Sequence, residues 1–263
     1  MKLKTIIFFS TMIILVFFLQ CQKDTTPLTP GVGLIPDTTQ VPLIIRKRYS
    51  MDAARLTVRY MLTTPDSDRV ELNQRMVDRV YLSLISIYLS AEKISACDSV
   101  TRKYEIHTFY NPPLQEILVM LDTSYAWTHA WLQYNPFTGN PVIDSLVQKY
   151  QIAITDVNTG WDVLVVLKSN ILINTLALCK KFRIIPGILS ADPNWAFGDG
   201  HDITYEKKNG KDLFTFTLKW GDCPAGCIYH HSWHFLVTDN YNVEYMGSSG
   251  SPISDEEKIK IKD

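Results

Sequence analysis

At 263 residues, 46% hydrophobic and 20% charged, the chain has an ordinary globular composition, with room for one large domain or two small ones. A net charge of -1 excludes a global basic field, and with it nucleic acid as a partner attracted by charge. The sequence carries no repeat at the periods of solenoid proteins.

Residues 1–20 read as a signal peptide. Lys2 and Lys4 open the segment, and residues 6–19 are apolar apart from Ser10 and Thr11. That run is short for a membrane-spanning helix, which needs about 20 residues, and suits a signal core. The segment ends Phe18-Leu19-Gln20-Cys21, which resembles a bacterial lipoprotein signal. In that family the cysteine after the apolar run is lipidated and becomes the first mature residue. The sequence departs from the family pattern at Gln20, where a small residue is preferred, and at Phe18, where Leu is usual. The resemblance implies a palmitate-carrying, lipid-anchored lipoprotein attached through Cys21. Mature lipoproteins carry three acyl chains, and one alone holds a protein only marginally. It also implies a place in the bacterial cell envelope, and Gln22 after the cysteine favours the outer membrane. The alternative is an ordinary secretory signal with Cys21 left as a thiol. Residues 21–48 follow as the lipidated start and a tether, in which Pro27, Pro30 and Pro36 favour an extended, solvated spacer.

Residues 49–122 read as helical and then β. From Asp52 the apolar positions Ala54, Leu56, Val58 and Met61 are ambiguous between helix and strand. Residues 63–68 are a turn cluster. Met76, Val80, Leu84, Ile87 and Tyr88 predict an amphipathic helix over 72–90, with Arg75, Asp78 and Arg79 on its other face. Alternation over 104–109 predicts a strand, Asn111-Pro112-Pro113 breaks it, and the apolar run 116–121 predicts a second strand.

A third strand is expected over 125–133, with Trp127, His129 and Trp131 on one face. Such a row can stack on sugar rings or simply pack into a core. With a helix from Val142, strands at 151–155 and 163–167, a helix from Leu172 and a strand at 188–191, residues 123–195 take the βαββαβ order of a ferredoxin-like unit. The stretch Ile185-Pro186-Gly187-Ile188-Leu189-Ser190-Ala191-Asp192-Pro193-Asn194 resembles the propeptide-inhibitor domain of subtilisin-type proteases. That resemblance implies a protease-inhibitor-like role, although fold likeness alone does not transfer function.

Residues 196–250 read as an antiparallel β-meander, with strands at 203–206, 213–220, 228–237 and 243–246 and an Asn209-Gly210 turn. Cys223 and Cys227 are expected to form a disulfide across the tip of the hairpin between 213–220 and 228–237, since facing hairpin residues fall within disulfide reach. Strict facing of these cysteines would set the two apolar rows on opposite faces. A bulge near Gly221-Asp222 is therefore predicted, the alternative being a sheet covered on both faces. Cys97 and Cys179 either pair or are buried separately. Asp199 and Asp202, in a Gly-rich turn, could ligate calcium or form a plain turn. The Gly/Ser run 247–251 and the charged tail 251–263 are expected to fray.

The string Trp220-Gly221-Asp222-Cys223-Pro224-Ala225-Gly226-Cys227 resembles a motif of bacterial envelope lipoproteins that have no assigned activity, so it implies a compartment and no mechanism. The chain as a whole reads as α+β: N-terminal helices, a ferredoxin-like unit and a C-terminal antiparallel meander. Its expected role is a lipid-anchored ectodomain that binds a partner or is structural, without assigned catalytic residues, cofactor or metal. Expected partners are the membrane, through the anchor, and an envelope protein or glycan. Candidate binding residues are His230, Ser232 and His234 on the hairpin, together with Trp127 and Trp131. Two alternatives stand beside this reading: the protease inhibitor, and a metal-dependent hydrolase at the hairpin histidines.

Overall fold

Helix α1, Leu43–Met61, runs through the interior, and every residue from 52 through 58 is buried. Where a helix is enclosed on all sides, apolar residues fall around its whole circumference, so its apolar spacing reads ambiguously in the sequence. The computed structural model describes residues 35–208 and 210–253. The leader, Cys21, most of the tether and the charged tail from 254 onward lie outside the described residues. The tether ends sooner than the predicted 48. A 3-10 turn at Thr38–Gln40, capped by Asp37, leads into buried Val41, and Pro42 starts α1.

Helix α2, Gln74–Leu89, begins at Asn73, whose side chain accepts from the Met76 amide at 3.3 Å. Its apolar stripe packs with Tyr49, Ala53 and Leu56 of α1 in one core. The short helix α3, Ser95–Asp98, and a π-turn over Ser99–Lys103 follow. Among the described residues, no single helix is long and apolar enough to cross a membrane.

Strand β1, Glu116–Leu121, opens the first sheet. Then come the helices α4 (Thr128–Leu132) and α5 (Pro141–Lys149), and the strands β2 (Ile152–Thr159) and β3 (Val163–Ser169). Helix α6 (Thr175–Arg183) and strand β4 (Ile188–Pro193) complete the unit. The strands lie in the order β2-β3-β1-β4, every pair antiparallel, which is the ferredoxin-like βαββαβ arrangement. The predicted unit is present with its first strand reassigned. Residues 116–121 provide that strand, and 128–132, expected to be part of a strand, are helical. A Trp-x-x-x-Trp spacing suits a helix face as well as an apolar run suits a strand, and the turn at residues 122–125 starts the helix. Residues 104–109, also expected as a strand, pair with no strand among the described residues.

The second sheet is a meander of β5 (Asp202–Lys208), β6 (Lys211–Trp220), β7 (Tyr229–Val237) and β8 (Val243–Gly250), in sequence order. Phe214 and Phe216 face Phe235 and Trp233, so the apolar rows of β6 and β7 share one face. The ladder runs without a break from Asp212↔Val237 to Trp220↔Tyr229, and the predicted bulge does not interrupt it. The one-residue phase difference between ladder and cysteines is taken up in the loop at 221–228, where Gly221 holds φ at +79°. The Gly/Ser run does not fray through residue 250, because β8 continues to Gly250 opposite His231.

One core joins α1, α2 and the meander, and a second fills the ferredoxin-like unit. A small cluster of Ala54, Val58 and Leu114 lies between them. Arg79, expected on a solvated face, instead spans from α2 to the meander. It donates to the buried Asp212 carboxylate at 2.6 Å and to the Thr238 and Asp239 carbonyls, and lies over the Tyr241 ring. Burial works against the guanidinium, and Asp212 and Tyr241 together more than offset it, so the Arg79 pKa is raised. Arg79→Met leaves a buried carboxylate without its cation and should lower unfolding free energy by about 3 kcal/mol in urea titration. Arg75→Met, on the exposed side of the same helix, should change it by less than about 0.5 kcal/mol.

Candidate functional site

Three polar residues of α1, Asp52, Arg55 and Arg59, are spaced by three and four and lie along one stripe of the helix. They receive the irregular segment that precedes β1. Arg55 Nε donates to the carbonyls of Tyr110 and Pro112 at 3.1 and 3.2 Å. Arg59 donates to the carbonyls of Phe109 and Asn111, and also to Ile203 and Asp202 of β5. The amides of Thr108 and Phe109 donate to the carboxylates of Asp52 and Asp202 at 2.9 and 2.8 Å. Side chains of α1 and β5 thus do for this segment what a neighbouring strand would otherwise do.

The buried Asp52 carboxylate also accepts from the Thr108 hydroxyl at 2.6 Å and lies 2.6 Å from His107 Nδ1. Arg55 Nη1 donates to the same hydroxyl at 2.7 Å, so Thr108 links acid and base. Burial lowers the Arg55 pKa, and Asp52 counters that shift. The His107 ring packs on Tyr49 with centroids 5.3 Å apart. With its Nδ1 turned to Asp52, His107 has Nε2 left to pair with a ligand hydroxyl.

The opposite wall is the chain leaving β4. The Asn111 side-chain amide donates to the Ala196 carbonyl and accepts from the Ala196 amide, at 2.9 and 3.0 Å. The Asn194 amide donates to the Glu116 carbonyl, and its side chain reaches the Glu116 carboxylate. Tyr110 and Trp195 are thereby held at the rim of a cleft of about 410 Å³ and remain 70% and 43% exposed. Gln115, Glu116, Asn194, Arg55 and Met51 contribute to its lining. A second cleft of about 340 Å³, which His107 and Arg48 help to line, shares Met51, Arg55 and Tyr110 with the first. Both volumes lie in the range of ligand sites, about 300–1,000 Å³.

The charges along this groove are matched within the protein. Lys168 meets Glu116 at 2.8 Å, Arg48 meets Glu105 at 2.9 Å, and Arg55 faces Asp52 across Thr108. The Lys168 hydrogen bond holds the Glu116 carboxyl below its ordinary pKa, so it is an anionic acceptor at neutral pH and not a proton donor.

The residues singled out from sequence lie elsewhere. Trp127 and Trp131 share a helix face at i and i+4, their rings meeting edge-on at 5.2 Å, while His129 lies on the exposed side. Trp131 is wholly buried, and its ring nitrogen donates to the Pro136 carbonyl. The Trp127 nitrogen donates to Pro186, and its ring closes so tightly on Gly187 that a Cβ there would lie 2.9 Å away. The expected aromatic row is therefore mainly core packing. His230 is exposed, Ser232 is buried against the Thr217 hydroxyl, and His234 is hydrogen-bonded at both ring nitrogens, to Thr215 and Ser249. These three do not converge on one point, and His231 turns instead to Trp233 and the Ser251 carbonyl. Cys223 and Cys227 form the disulfide, their Cα atoms 4.0 Å apart. Asp199 pairs with Lys219, and Asp202 with Arg59, which makes the Gly-rich turn structural.

Sequence reading missed Tyr110, Trp195, His107 and the α1 stripe. Arg48, Asp52, Arg55 and Arg59 at helical spacing were the available signal, hidden because charge at that period normally marks a solvated face. Comparison with protein-family models, with curated proteins and with solved structures gives no match.

Cys97 and Cys179 are buried in different cores and do not pair, and burial pushes each thiol up to about 12. In native protein neither should react with iodoacetamide at pH 8, and both should react in denaturant, read by mass spectrometry. Cys223 and Cys227 should become alkylated only after reduction.

Proposed function

We propose that the chain is a lipid-anchored protein of the bacterial cell envelope, outer membrane included, whose ectodomain is a binding module with its ligand seat in the groove beside α1. The observation that carries the binding part is the pair of rim rings, Tyr110 and Trp195. Both are left solvent-exposed on backbone that the Arg55 and Asn111 side chains hold in place. Exposed rings over a cleft of ligand size give a ligand an apolar surface to cover.

The anchor rests on the leader, on Cys21 and on the proline-bearing spacer. The disulfide supports an oxidising compartment, since such bonds persist mainly outside the cytosol. It also takes both thiolates away from the metal-dependent alternative at the hairpin. The chain leaving β4 is fastened by Asn111 and Glu116, which counts against its insertion into a protease cleft.

In a bacterial host, wild-type protein should incorporate labelled palmitate and partition with membranes. Cys21→Ala should lose the label and shift to the soluble fraction. Label retained in Cys21→Ala would overturn the anchor.

A further inference from the structure

We propose that the groove running past Met51, Arg55 and Tyr110 binds an uncharged oligosaccharide of two or more sugar units. The inference rests on the binding reading above and names its ligand class. Three observations carry it. The first is the lining: two exposed rings, Tyr110 and Trp195, with Gln115 and Asn194 on the same cleft. A pyranose offers an apolar C–H face that lies well on an aromatic ring and a rim of hydroxyls that pair with amides and carboxylates.

The second observation is electrostatic. Glu116, Arg48 and Asp52 each have a partner in the wall, and Arg55 is balanced by Asp52 across Thr108. A charged ligand would therefore find no complementary charge to neutralise and would give up its own hydration. A hydroxylated neutral ligand needs only hydrogen-bond partners. The anionic Glu116 can accept from sugar hydroxyls, and His107 Nε2, which has no hydrogen bond among the described residues, can pair with a hydroxyl in the second cleft.

The third is length. The two clefts adjoin at three shared lining residues, with Trp195 in the first and His107 in the second. Together they offer more room than one sugar ring fills. The walls are preorganised, because Arg55, Arg59 and Asn111 fix the backbone on which the rings stand. Preorganisation lowers the entropy lost when a flexible sugar chain docks.

The test uses the full chain in a non-glycosidic detergent, applied to an array of uncharged and charged glycans, with hits measured by titration calorimetry. An uncharged oligosaccharide should bind. Trp195→Ala and Tyr110→Ala should each weaken it roughly tenfold or more without changing thermal unfolding. Trp161→Ala, an exposed ring between β2 and β3 outside the groove, should leave affinity unchanged. Binding confined to charged glycans, no binding across the array, or affinity unmoved by both groove variants would overturn the inference. Palmitate labelling run in parallel separates it from the anchor. A labelled protein without glycan binding sinks only the ligand class, and an unlabelled protein that binds glycan sinks only the anchor.

Discussion

Four consecutive carbonyls, from Phe109 to Pro112, are taken by two arginines of one helix. This is the contact on which the rest of the structure depends. An irregular chain buried beside a helix leaves backbone groups without a ladder, and each unmet group costs about 1–3 kcal/mol. Arg55 and Arg59 supply donors in a fixed planar fork, and Asp52 and Asp202 supply acceptors for the two amides that precede them. The helix bearing these groups must itself be interior, and that is why α1 is enclosed from Asp52 through Val58.

The same contact explains how two separate cores behave as one body. The ferredoxin-like unit and the helix-meander half each have their own apolar interior, and Ala54, Val58 and Leu114, with Leu72 and Leu172 against them, make a thin apolar join. Polar links do much of the remaining work. Arg59 reaches both the 109–111 backbone and β5, and Asn174 at the start of α6 donates to the carbonyls of Ser67 and Arg69. A groove forms where the two halves meet because the segment between them follows the arginines and does not extend the sheet. The segment packs inward through Ile106 and Thr108 and leaves Tyr110 exposed at the groove.

Much of the architecture was legible in the sequence. The meander followed from strict alternation of Phe214, Phe216 and Leu218, and α2 from the recurrence of Met76, Val80, Leu84 and Ile87. The βαββαβ order was also legible, but its first strand was placed one element late because a short apolar run around Trp127 and Trp131 fits either period. The alternation over 104–109 was real as burial, with Tyr104, Ile106 and Thr108 inward, and misleading as pairing. Sequence pattern reports which residues are buried, and it does not say whether a strand or a row of side chains meets the backbone. The groove was invisible for that reason. Its two rings come from residues 85 positions apart, and contacts such as that of Asn111 with Ala196 and of Asn194 with Glu116 bring their segments together.

The central claim is that α1 side chains stand in for a missing strand, and native-state hydrogen exchange tests it most directly at the amides of Thr108 and Phe109. Their acceptors are carboxylates of Asp52 and Asp202, so both should exchange slowly, close to the rate set by global unfolding, although neither lies in a helix or strand. Substitution of Asp52 by Ala should release Thr108 first. Exchange of both amides at the rate of an open surface loop in the wild-type protein would contradict the account.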